Sequence, residues 1–191
     1  MTTAQLYDEL NYVNHSREKR TYYANLIINN PELVPKLLEI LFTVDDKISP
    51  RAAWVFEFMS SENIEAIIPH LDYFTENIHK VHLDSAVRPV AKVCELIAKA
   101  YNSKTDNLIK SELKEIHKER IIETCFDYLI NDEKVAPKAY SMSTLFILGK
   151  TYDWVYPELK TILEQDFALQ SAAFKARARQ ILKKIKKLDK I

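Results

Sequence analysis

Glu76, His79 and His82 follow one another at three-residue steps, and no other stretch of this sequence is as well suited to bind a metal. A Glu-x-x-His pair brings a carboxylate and an imidazole to one side of a helix, the arrangement used in di-iron bundles. Such a centre needs a second Glu-x-x-His and two further carboxylates on facing helices, and the chain has no second copy of the pair. The expected reading is a turn of hydrogen-bonding histidines at a helix end, with no metal and no cofactor. His117 stands in the charged run KEIHKER and is expected on the solvated surface. Cys94 and Cys125 lie 31 positions apart among apolar helical neighbours, so they read as buried reduced thiols rather than a disulfide. Cys125 has Ile122, Phe126 and Leu129 beside it, which is the company of a core residue and not of an activated thiolate. No Ser–His–Asp or Cys–His arrangement can be built. We therefore expect no catalytic residue and no enzyme activity.

A count of one glycine excludes several function classes together. Phosphate-cradling loops, dinucleotide fingerprints and nucleophile elbows all place glycine where backbone meets ligand or turns sharply. All-α lyases of the fumarase type need a Gly-Ser-rich loop and a far longer chain. Tight β-hairpins are disfavoured for the same reason. The 27 basic and 27 acidic residues cancel, which removes any overall pull toward nucleic acid. The opening MTTAQLYDELNYVN has no apolar signal core, and no apolar run approaches the ~20 residues of a membrane span. These features point to a helical, soluble, cytoplasmic protein.

Charge is unevenly spread even so. Residues 170–190 hold Lys175, Arg177, Arg179, Lys183, Lys184, Lys186, Lys187 and Lys190 against Asp189 alone. The rest of the chain carries 19 basic and 26 acidic residues, a balance near −7. Cations suit a helix C-terminus, and a terminal repeat must be polar outside. The competing reading is an electrostatic dock for phosphates or an acidic partner, centred on Lys183, Lys184, Lys186 and Lys187.

Helices must position all of these groups. Between Glu32 and Met59, Leu33, Val34, Leu37, Leu38, Ile40 and Leu41 form one apolar stripe, and Ala52, Ala53, Val55, Phe56 and Met59 form another. Asn30 with Pro31, and Ser49 with Pro50, supply an N-cap and a first-turn proline for the two helices. The polar Asp45-Asp46-Lys47 between them makes an αα-hairpin. Further helices are expected over 3–13, 17–29, Ile64–Ile78, Ser85–Tyr101, Glu112–Asn131, Ala136–Lys150 and Gln170–Lys190. Tyr22, Tyr23, Leu26 and Ile27 mark the apolar side of 17–29, while Arg17-Glu18-Lys19-Arg20 reads as its solvated first turn. Residues 102–111 read as an inserted loop or an early start to the next helix. Gly149 is expected to close its helix in the left-handed conformation, and the aromatics of 152–156 to staple the last junction.

The hairpin recurs. VPKLLEIL (34–41), IPHLDYFT (68–75) and YPELKTIL (156–163) share an apolar residue, Pro, a polar residue and Leu, and IETCFDYL (122–129) fits with Glu123 in the proline slot. Pro35 and Pro69 are 34 positions apart, as are Glu123 and Pro157. In the partner helices Ala52, Val87, Ala139 and Ala173 are separated by 35, 52 and 34. A period in the thirties with one longer step is the mark of stacked helical hairpins.

This unit resembles a HEAT or armadillo-type repeat. A first helix like ELVPKLLEIL precedes a turn with Asp, then a second helix with arginine and small residues, here PRAAWVF and AVRPVAKV, and Leu148-Gly149 is similar to the pair that closes the second HEAT helix. The resemblance implies an all-α superhelix, a solenoid of about five antiparallel hairpins across 1–191. Residues 1–30 would be the N-terminal cap, followed by hairpins at 31–61, 62–101, 112–150 and 151–190. It also implies a scaffold that binds a protein partner through a concave face of second helices. That face would present Trp54, Glu57, Arg88, Lys92, Tyr140 and Ser141. The alternative it implies is a nucleic-acid binder similar to the HEAT-like DNA alkylation-repair glycosylases. Glu57 and Glu95 near Lys92 disfavour DNA in such a groove.

Overall fold

Apolar residues at helical spacing become eleven α-helices in residues 1–188, the part of the chain that the computed structural model describes, with no strand among them. They are α1 (Thr3–Leu10), α2 (Arg17–Asn29), α3 (Val34–Leu41), α4 (Ser49–Glu62), α5 (Leu71–Asn77), α6 (Asp84–Tyr101), α7 (Leu108–Glu112), α8 (Glu115–Ile130), α9 (Val135–Leu148), α10 (Val155–Asp166) and α11 (Ala172–Leu188). Lys190 and Asp189, counted above in the basic tail, lie outside the described residues.

The helices stack as two layers of a solenoid. In one layer α4 packs on α2, α6 on α4, α9 on α6 and α11 on α9. In the other, α1 packs on α3, the 3-10 segment Ile64–His70 also reaches α3, and α5 lies against α8. A continuous core fills the space between them, with Leu37, Phe56, Phe74, Ile97, Leu129 and Phe174 fully buried. Each such side chain contributes about 1.5–3 kcal/mol by leaving water. The first pair departs from a simple hairpin, because α1 and α2 dock mainly on the next pair and not on each other. Their direct tie is the Tyr23 hydroxyl, which donates to Glu9 at 3.0 Å.

Prolines decide where the first-layer helices break. Pro69 lies inside the 3-10 segment Ile64–His70, so the expected single helix over 64–78 is divided and α5 starts afresh at Leu71. Neither expected N-cap forms. Asn30 turns back to donate to the Leu26 carbonyl at 2.8 Å, and Ser49 donates to the Leu41 carbonyl at 2.5 Å. The Asp46 carboxylate instead accepts from the Ile48 N–H at 2.7 Å. That turn holds Val44 at φ 45°, a strained place for a β-branched residue.

Other boundaries move for local reasons. The 102–111 insertion is not simply a loop: Asn107 caps α7 by accepting from Lys110 N–H at 3.3 Å, and Ile109 is buried. Leu113 interrupts the helix expected over 112–131, which starts instead at Glu115. Gly149 is not left-handed, since its φ is −61°. Glycine is required there by closeness, because a Cβ would meet Val155 Cγ1 at 2.7 Å and Tyr156 Cε1 at 2.9 Å. Tyr156 seals the same seam by stacking on Phe146 and donating to its carbonyl at 3.0 Å.

Cys94 and Cys125 are buried free thiols that meet between α6 and α8. The hydrogen bond to Cys125, followed by burial, holds the Cys94 thiol well above its usual range. Among the described residues no helix is long and apolar enough to cross a membrane.

Candidate functional site

The second-helix layer carries an open cleft of about 550 Å³ where α2, α4 and α6 come together beside the start of α9. The orientation of its tryptophan can be traced to one proline. Pro89 sits inside α6 and has no N–H, so the Ser85 carbonyl four residues earlier loses its helical partner. The Trp54 indole N–H of α4 donates to that carbonyl at 2.8 Å. One missing helix bond thus fixes the orientation of the largest side chain in the cleft.

Arg88, one turn further along α6, is gripped by Glu57 of α4 at 3.1 and 2.5 Å. The bidentate pair spans two hairpins, and Glu57 is only 7% exposed. Lys92 follows on the same helix. It pairs with Glu95 at 2.7 Å and lies 4.8 Å from the centre of the Tyr140 ring of α9. Glu95 also pairs with Lys99 at 3.0 Å. Burial pushes the Glu95 carboxyl up, but Lys92 and Lys99 outweigh it and hold it below its usual value.

The structure therefore brings Trp54, Arg88, Lys92 and Tyr140 onto one surface and reassigns two expected contacts. Glu57 is the buried clamp on Arg88. Ser141 is fully buried on a side of α9 turned away from Tyr140, with no hydrogen-bond partner for its Oγ among the described residues, so a partner cannot touch it. Helical geometry explains the error, because adjacent residues point about 100° apart and Tyr140 already faces outward.

Arg20, His15 and Lys134 are among the cleft residues that escape the sequence reading. Arg20, expected in a solvated first turn, is half-buried and lies 5.3 Å from the Trp54 ring centre and 5.4 Å from that of Phe58. Its spacing to Tyr23, Ala24 and Ile27 places it on the inward side of α2, a signal the basic run obscures. His15 stands 5.0 Å from Trp54, and Lys134 at the head of α9 reaches Asp84 at 3.5 Å.

The metal candidates do not converge. Glu76 and His79 are exposed, and His82 crosses to Asp45 of the preceding hairpin at 2.9 Å. The Lys80 carbonyl on Nδ1, with Asp45 on Nε2, raises the pKa of His82. Among the described residues no three His, Cys, Asp or Glu side chains gather as a metal would require.

His117 corrects an expectation, for it is 1% exposed rather than on the surface. Its Nδ1 accepts from Lys114 N–H at 3.3 Å, which puts the ring proton on Nε2, bonded to Asp72 at 2.6 Å. The His117 bond, ahead of one from Lys114, lowers the Asp72 pKa. These two bonds tie α5 to the start of α8 and so brace the first-layer helices.

On α11, Lys183, Lys184, Lys186 and Lys187 are all exposed. Lys184 lies 5.3 Å from the centre of the Phe146 ring, and none of the four joins an ion pair among the described residues. The helix is anchored by Phe174, Ala178, Ile181 and Ile185 on its buried side.

Comparison with known proteins yields one relation. A family model described as a HEAT repeat domain matches residues 8–185. No curated protein and no solved structure matches the chain.

Proposed function

Because the chain belongs to the HEAT repeat domain family, we propose that it is a non-enzymatic scaffold holding a protein partner on the face of its second helices. The supporting observation is the cleft of α2, α4 and α6, where Trp54 is fixed by a hydrogen bond and flanked by a clamped Arg88. Tryptophan and arginine in a partly desolvated, preorganised setting are the residue types that dominate protein–protein binding energy. Lys92 and Tyr140 extend the same surface toward α9, with Glu57 as the positioning residue behind Arg88. Glu57, Asp84 and Glu95 stand among the cations of this face, which weighs against a track for duplex DNA. The buried free thiols Cys94 and Cys125 support a reducing, cytoplasmic setting.

The test is affinity capture from lysate with the full chain, followed by titration of the captured protein against variants. Trp54→Ala should weaken binding about thirtyfold, the effect of losing a hot-spot side chain. Replacement of Lys183, Lys184, Lys186 and Lys187 by Gln should change it less than about threefold. A partner indifferent to Trp54→Ala would refute the assignment of this face.

A further inference from the structure

The cleft is not electrically balanced, and the imbalance lies on one side chain. Arg88 is clamped by Glu57, and Lys134 stands 3.5 Å from Asp84 in an exposed ion pair. Arg20 has no carboxylate partner among the described residues. Its Nη2 donates to the His15 carbonyl at 2.5 Å, and among the described residues its buried Nε and its Nη1 have no hydrogen-bond partner. The guanidinium is nevertheless held in place against the Trp54 and Phe58 rings. Leaving His15 aside, the lining cations Arg20, Arg88 and Lys134 face the lining Asp84 and the Glu57 behind Arg88, which leaves one positive charge, on the planar guanidinium of Arg20.

We propose that the cleft takes the carboxylate of a glutamate or aspartate in an acidic peptide segment, with Arg20 as its ion partner and Trp54 as the surface for the neighbouring residue. This names the chemistry of the partner and rests on the scaffold reading above. The charge count selects the ligand. A carboxylate supplies one negative charge and an acceptor for the Nη1 hydrogens of Arg20. A phosphate monoester would bring about two negative charges beside Glu57 and Asp84, where only one is left to neutralise. A basic segment would meet Arg20, Arg88 and Lys134 together. Arg20 is the discriminating group because Arg88 and Lys134 each have a carboxylate beside them and Arg20 has none among the described residues.

The probe is a set of immobilised random octapeptide pools whose central residue is fixed as Glu, Gln or phosphoserine, exposed to the labelled full chain. The Glu pool should retain the protein about tenfold better than the Gln pool, the effect of one charge-assisted hydrogen bond. Arg20→Gln should erase that preference. Asp84→Asn removes a repelling carboxylate and frees Lys134, so it should strengthen Glu binding about threefold, a gain that misfolding cannot imitate. Equal retention of the Glu and Gln pools, or no gain with Asp84→Asn, would overturn the proposal. Preference for phosphoserine over Glu would replace it with a phosphate ligand. A captured partner that depends on Trp54 but not on Arg20 or Asp84 would overturn the carboxylate and leave the scaffold standing. A partner indifferent to all three would overturn both.

Discussion

The molecule carries two clusters of cations that follow opposite rules. On the second-helix face, Arg88 and Lys92 each meet a carboxylate, and Arg20 and Lys92 also lie against aromatic rings. On α11, Lys183, Lys186 and Lys187 stand in solvent with neither kind of neighbour among the described residues. A net charge of zero therefore conceals two arrangements. Paired charge fixes where side chains point and ties one hairpin to the next. Unpaired charge at a helix end favours the helix dipole and solubility, and any contact it makes depends on ionic strength.

Three measurements break or sharpen this contrast. The largest effect belongs to Glu57→Ala, which strands the half-buried Arg88 between α4 and α6. Stability in denaturant should fall by about 2–3 kcal/mol, with the melting temperature lower by roughly 5–10 °C. A loss below about 0.5 kcal/mol would mean that Arg88 finds water instead and that the clamp holds nothing.

Glu95 gives a smaller effect with a pH signature. Its carboxyl titrates below the usual glutamate value in the folded chain, so its ionised form stabilises the fold above the unfolded value of about 4.3. That stability is lost as pH falls through the folded value. Glu95→Gln should cost about 1 kcal/mol at pH 7, and the difference from the parent chain should vanish in acid. A pH-independent difference would assign the cost to packing.

The smallest effect is expected on α11. Lys186→Gln with Lys187→Gln should alter stability by less than about 0.5 kcal/mol, because nothing folded depends on either ammonium. A larger loss would show that the tail is wired into the fold as the cleft is.

The repeat was legible because it is written in apolar spacing, which Leu37, Leu41, Phe56 and Met59 keep faithfully. Failures came where polar residues occupy apolar positions. His117 and Lys118 lie four residues before Ile121 and Ile122, on the buried side of α8, yet the charges around them suggested a surface. Arg20 was hidden in the same way by Arg17 and Lys19. Trp54 and Arg88 were readable as outward groups, but their geometry was not. The carbonyl that anchors Trp54 is freed by a proline in another helix, and the carboxylate that holds Arg88 sits 31 positions away. Gly149 was expected to serve its own backbone angle, whereas the constraint comes from Val155 and Tyr156 across the seam.

That seam bears on how the tail is displayed. The last two hairpins approach until no room remains for a methyl group at Gly149, and Tyr156 then bolts them together. A joint with that little clearance leaves α10 few ways to sit against the end of α9. The lysines of α11 are displayed on a helix that Phe174, Ala178, Ile181 and Ile185 seat against that same α9. The basic side of α11 is therefore set by the face it buries on α9.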